Sequence, residues 1–135
     1  YACTPVDALR TCAPGERDTL VQAVTEIEIV AVPAHVQGQG VGTALLREAE
    51  QHLRSLGTQL ITAKLGAESM PVLRWWRHRG WTLARDGEAC FLDDRGRIGL
   101  DAGSDGRWRL AVRAPDRAIA RRLTGLWVAP ALLSG

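Results

Sequence analysis

The sequence predicts an α/β fold, and three observations carry that expectation. A predicted buried strand, Thr25 to Val32, leads through a glycine-bearing turn into a long helical stretch, Val41 to Leu56. A second pair of the same kind follows, with an apolar run from Leu60 to Leu65 and a helical stretch opened by Ser69 and Pro71. Further on the period changes to two, with Trp108, Leu110 and Val112 alternating against Arg107, Arg109 and Arg113.

Taken in order, Tyr1 to Cys3 reads as the end of a strand. Thr11 to Asp18, with Pro14-Gly15 and its charges, reads as a loop. Thr25 to Val32 is the first long strand. Leu45, Ala49, Leu53 and Leu56 lie near one face of the helix that follows, and Gly57 can end it. Ser69 can cap the second helix, and Pro71 falls in its first turn, where a missing N–H costs little. That helix runs to about His78, and Gly80 stops it. Asp86-Gly87 between two apolar runs, Trp81 to Arg85 and Glu88 to Leu92, predicts a hairpin. Asp93 to Gly106 reads as turns, and Arg107 to Arg113 as a strand. Pro115 opens a predicted last helix to Leu123, and Leu126 to Gly135 reads as a strand or docking tail. The tail, Trp127 to Gly135, echoes Val30 to Gly38 in its Pro, Ala and final Gly; chance in a low-complexity stretch outweighs a second repeat.

The 135 residues are enough for one domain, 1–135, with a proper core. Composition is that of a globular chain, 46% hydrophobic and 24% charged. Arginine supplies nearly all the positive charge, with Lys64 the only lysine, a skew that fits a GC-rich bacterial gene. The net charge of +2 is too small to argue for nucleic acid. Cys3, Cys12 and Cys90 lack Cys-x-x-Cys spacing and read as free thiols, which points to a reducing, cytoplasmic compartment. His35, His52 and His78 fall in separate elements, so no metal site is expected. No apolar run of about 18 residues predicts a membrane span. The chain begins at Tyr1, and its start reads as trimmed.

Gln37-Gly38-Gln39-Gly40-Val41-Gly42 is the stretch with the most chemistry in it. A strand, a glycine turn and a helix N-terminus together form an anion site, because the first N–H groups of a helix are unpaired and its end carries partial positive charge. Glycine lets a phosphate approach the backbone closely. A P-loop would need Gly-Lys-Ser/Thr before the helix, and a dinucleotide loop a third, correctly spaced glycine; neither is present.

What remains, Gln37-x-x-Gly40-x-Gly42 after Val30-Ala31-Val32-Pro33, resembles motif A of the GNAT N-acetyltransferase superfamily, Q/R-x-x-G-x-G/A after a strand ending V-x-P. Ser69-x-x-Val72-x-x-Trp75-Trp76-Arg77-His78-Arg79-Gly80-Trp81 resembles the family's motif B, N-x-x-A-x-x-L-Y-E-K-L-G-F. The resemblance covers about Thr25 to Trp81. It implies a mixed, mostly antiparallel sheet flanked by helices, with the N-terminal elements of the fold largely missing from this chain.

The resemblance also implies acetyl-CoA as cosubstrate, with no metal. Its pyrophosphate would lie on Gln37, Gly38, Gln39, Gly40, Val41, Gly42 and Thr43. Val30 and Val32 would offer main-chain groups to the pantetheine arm, in the gap between their strand and Leu60 to Leu65, and Ser69 and Trp76 would line the same site. Arg74, Arg77 and His78 are placed near the expected 3′-phosphate. An amine must lose a proton before it can attack a thioester, and Glu26, with Glu28 as the near alternative, can take it. The rival reading for these glutamates is a salt-bridged or edge-facing pair.

Trp76 stands where the family has the Tyr that protonates the leaving thiolate, and an indole N–H is no acid at neutral pH. The expected activity is acetyl transfer to a primary amine by direct attack. Its alternative is a non-catalytic acyl-CoA-binding regulatory or degenerate domain. A nucleic-acid or protein module built on Arg107, Arg109 and Arg113 is the weaker rival, since a solvated strand face explains those residues more simply. The expected partner is a small-molecule or peptide amine, with a homodimer compatible and no membrane role.

Overall fold

The computed structural model of the chain describes residues 2–3, 12–28, 30, 34–103 and 105–133. Its elements are β1 (Ala2–Cys3), α1 (Pro14–Ala23), β2 (Val24–Ile27), α2 (Val41–Ser55), β3 (Leu60–Gly66), α3 (Met70–His78), β4 (Thr82–Leu83), β5 (Cys90–Phe91), β6 (Gly99–Leu100), β7 (Trp108–Arg113), β8 (Ala118–Arg122) and β9 (Gly125–Ala129). A short 3₁₀ turn, Ala34–Val36, precedes α2. The α/β class expected from sequence holds, but the strands form two sheets. The central one has order β2-β3-β7-β4, and the second has order β1-β6-β5-β9-β8.

The central sheet is mixed, as expected. β2 runs parallel to β3, with Val24 opposite Leu60 and Ile27 opposite Ala63. β7 lies antiparallel to β3 from Ile61↔Arg113 to Gly66↔Trp108, and β4 pairs antiparallel with the other edge of β7. Alternation along these strands gives two apolar faces. Ile61, Ala63, Leu65 and Ala111 pack under Leu46 of α2 and Leu73 and Trp76 of α3. Leu60, Leu110 and Val112 face the opposite way and share a core with Cys90, Leu92, Leu100, Leu126 and Val128 from the second sheet. β7 thus has its two faces in two cores.

Several expected elements change. Pro14-Gly15 is the first turn of α1 and not a loop. Proline suits that position, and Glu16 Oε1 accepts the Ala13 N–H at 3.3 Å. The buried stripe of α2 centres on Leu46, with Ala49, Glu50 and Leu53 partly covered beside it, whereas Leu45 and Leu56 are exposed. Leu45 is one residue, about 100° of helix rotation, away from Leu46 and points to solvent.

Asp86-Gly87 does form a turn, with the Glu88 N–H on the Arg85 carbonyl at 2.9 Å. It joins no hairpin, because β4 pairs in the central sheet and β5 in the second. The helix expected from Pro115 to Leu123 is strand β8, paired from Ala118↔Ala129 to Arg122↔Gly125. There the antiparallel partner overrides local helix preference. The stretch from 93 to 106 holds β6 as well as turns.

Arg109 and Arg113 do not form a solvated face. Both share the helix-covered side of β7 with Ala111, and Arg113 pairs with Glu50 at 3.3 Å and donates to the Gly80 carbonyl at 2.9 Å. Cys12 and Cys90 are buried free thiols, and burial pushes Cys90 up to about 12, so it is inert. The side chain of Cys3 lies outside the description, as do Tyr1 and the last two residues of the tail echo. No helix among the described residues is long and apolar enough to cross a membrane.

Candidate active site

The glycine turn forms one wall of a cavity of about 750 Å³. Gly38 and Gly40 have φ of 81° and 79°, values that L side chains rarely adopt, and a Cβ at either would meet nothing within 4 Å. The backbone sign therefore demands glycine, and open space lies beside it. Gly40 is the N-cap of α2, and its carbonyl accepts the Ala44 N–H at 3.0 Å to close the first turn. The N–H groups of Val41, Gly42 and Thr43 precede that bond and stand at the positive end of a 15-residue helix.

The opposite wall is α3, which presents Pro71, Val72, Trp75 and Trp76. Val72, Trp75, Trp76 and Arg79 fall at spacings of three and four, so one helix face reaches the cavity. Trp76 is buried and meets Trp75 edge-on at 5.6 Å and Trp81 edge-on at 4.8 Å between ring centroids. Trp81 is fixed in turn by its indole N–H on Glu50 Oε1, at 2.7 Å. Arg79 joins the two walls. Its Nε donates to Thr43 Oγ1 at 2.8 Å, its Nη1 donates to the Trp75 carbonyl at 2.8 Å, and its guanidinium lies 3.9 Å from the Trp75 ring centroid. A fixed cation thus sits beside the helix N-terminus, an arrangement that favours an anion.

Of the residues expected to hold the donor, Val30, Gln37, Gly38, Gly40, Val41, Gly42, Thr43 and Trp76 line this cavity. Gln39 is exposed in the turn and is not part of the lining, and neither is Ser69, the half-buried N-cap of α3, whose hydroxyl makes no capping bond. Val32 lies outside the described residues. Arg74, Arg77 and His78 are exposed on α3 and away from the lining. Sequence reasoning missed Pro71, Val72, Trp75 and Arg79 as lining residues. The periodicity of α3 was the signal that could have found Arg79.

The two glutamates are placed differently from that lining. β2 ends at Ile27, so Glu26 lies within it and Glu28 and Val30 follow it, where a strand to Val32 was expected. Glu26 is opposite Thr62, on the sheet face away from α2 and α3. With Ile27, Glu28, Lys64 and Trp108 it lines a smaller cavity of about 250 Å³. The β2–β3 pairing stops at Ile27↔Ala63, and β3 continues to Gly66 without it. Past the end of β2, Val30 lines the first cavity, whereas Ile27 and Glu28 line the second.

The model of the acetyltransferase (GNAT) family matches residues 10–81, more than half of the chain. Two solved structures are similar in fold. One is described as an acetyltransferase of the GNAT family from Desulfovibrio desulfuricans, with 20% identity, 68% of this chain and 52% of that one covered, and a TM-score of 0.50. The other is a nourseothricin acetyltransferase, with 22% identity, 70% and 51% covered, and a TM-score of 0.50. The chain spans about half the length of these structures. Among curated proteins none matches.

Proposed function

The chain belongs to the acetyltransferase (GNAT) family, and from that premise we propose that it moves an acetyl group from acetyl-CoA to a primary amine. The observation that carries this reading is the first cavity, where the glycine turn and α2 N-terminus face the aromatic wall of α3 across a space suited to a large anionic ligand. Gly38, Gly40 and the N–H groups of Val41 to Thr43 would take the pyrophosphate, and Arg79 would add charge-assisted hydrogen bonds. Val30, Val72, Trp75 and Trp76 offer apolar contact to the pantetheine.

The amine would approach from the second cavity. Glu26, or Glu28 beside it, would remove its proton. The amine nitrogen then attacks the thioester carbonyl carbon, a C–N bond forms, the nitrogen gives up its second proton to solvent, the C–S bond breaks, and sulfur leaves as thiolate. The proton on the glutamate passes to solvent. Trp76 cannot protonate the thiolate, so water does. The acceptor is a small-molecule or peptide amine, and the buried free thiols of Cys12 and Cys90 support a cytoplasmic setting.

Gly40→Asp tests the donor assignment. It places a carboxylate beside the pyrophosphate in open space, so repulsion acts on the ligand and not on a packed neighbour. The strained φ costs the fold only about 1–2 kcal/mol. Calorimetry should show acetyl-CoA binding to the parent chain and its loss, at least ~100-fold, in a variant that still melts cooperatively. Unchanged affinity in the folded variant would sink the assignment.

A further inference from the structure

Resting on the reading of the second cavity as the acceptor side, we propose that the acceptor is a small zwitterion: an amine that also carries a carboxylate, on an apolar or aromatic body. Five residues define the space. Glu26 and Glu28 supply two negative charges from the β2 side, and Lys64 supplies a positive charge from β3. Ile27 and Trp108 supply apolar surface.

The argument starts from the charges. Glu26, Glu28 and Lys64 line one cavity, yet among the described residues none of the three forms an ion pair, with each other or with anything else. Elsewhere the chain pairs its charges readily, as Arg113 does with Glu50 and Arg121 with Glu88. A purely cationic acceptor would suit the glutamates but would be repelled by Lys64. A purely anionic one would meet the reverse conflict. A zwitterion satisfies both, with its ammonium at the glutamates and its carboxylate at Lys64. That orientation also delivers the nitrogen to the group that must deprotonate it.

Size and surface agree. About 250 Å³ holds roughly eight waters at their liquid volume, the scale of an amino acid. Trp108 is 47% exposed, a large indole surface beside three charges. It suits the body of an apolar amino carboxylate. On the same sheet face, opposite Glu26, Thr62 is buried and its hydroxyl has no hydrogen-bond partner among the described residues.

The test is a binding series on the whole chain, by ligand-observed NMR and calorimetry. The probes are L-leucine, L-phenylalanine, L-phenylalanine amide, phenethylamine and 3-phenylpropionate, with CoA titrated separately. At least one of the two amino acids should bind roughly tenfold or more tightly than every probe lacking one of the charges, as a charge-assisted contact implies. Lys64→Gln should erase the difference between phenylalanine and its amide, and Lys64→Arg should keep it. Equal binding of acid and amide, a preference that survives Lys64→Gln, or no binding of either amino acid overturns the proposal. CoA binding without such discrimination overturns this inference alone. Discrimination without CoA binding leaves a zwitterion-binding site standing but overturns the acetyl-transfer reading and, with it, the ligand's role as acceptor.

Discussion

Glu26 lies in the parallel ladder opposite Thr62, exposed, on the face of the central sheet that carries neither α2 nor α3. That position separates the proton-accepting side of the proposed reaction from the donor cavity, so the two functions should separate under mutation. Glu26→Gln keeps the shape but accepts no proton. It should lower turnover at neutral pH by ~10²-fold or more while acetyl-CoA affinity changes less than about twofold. The loss should shrink as pH rises toward the pKa of the acceptor amine, because the amine then arrives neutral. Steady-state rates across pH, beside calorimetric titration of acetyl-CoA, read both effects. A fully active Glu26→Gln with an inactive Glu28→Gln moves the role by two residues. Turnover by the parent chain also answers the question Trp76 raises, since a working enzyme with this indole in place needs no acid from that position.

At the scale of elements, α2 and α3 were legible because their amphipathic pattern is local. The Gly-x-Gly spacing marks the first wall of the cavity. The side of α3 facing that wall was only half read. Ser69 matches a motif by position, yet it lies at the helix N-cap outside the cavity, whereas Arg79 one turn past Trp75 reaches Thr43 of α2. The end of β2 was overextended for a related reason. An apolar run tells where a strand can pair but not where its partner stops pairing, and here pairing ends at Ile27↔Ala63. Arg79→Ala removes a cation beside the α2 N-terminus together with one hydrogen bond between the walls and one to the Trp75 carbonyl of its own helix. It should weaken acetyl-CoA about 10- to 100-fold and lower stability by about 1–2 kcal/mol. Arg79→Lys should recover less than half of the binding energy, since an ammonium cannot hold both oxygens and stack on Trp75 as well. Equal affinity of Arg79→Ala and the parent for acetyl-CoA would remove Arg79 from the donor site.

At the scale of the whole molecule the second sheet is what sequence periodicity did not show. β5 and β6 have two residues each, too short to register a period, and β5 pairs in parallel with β9, some 36 residues later in the chain. Pairing at such separation leaves no local mark. Side chains then tie this sheet to the central one. Arg121 of β8 donates to the Leu83 carbonyl of β4 at 2.8 Å and holds Glu88, whose carboxyl its hydrogen bond keeps below the usual range. Arg117 reaches the Gln59 side chain and the Pro130 carbonyl. Beneath these contacts Leu126 of β9, wholly buried, packs in the core that also contains Leu60, Leu110 and Val112. Because β7 contributes to both cores, loss of packing in one should be felt in the other. Leu126→Ala should therefore cost about 2–5 kcal/mol and shift a single transition. Far-UV circular dichroism, tryptophan fluorescence and acetyl-CoA binding should all be lost at the same denaturant concentration. Leu46→Ala, in the core under the helices, should move the same transition by a similar amount. If acetyl-CoA binding instead outlives the first spectroscopic change in Leu126→Ala, the second sheet melts on its own, and the donor site rests on the central sheet and its two helices alone.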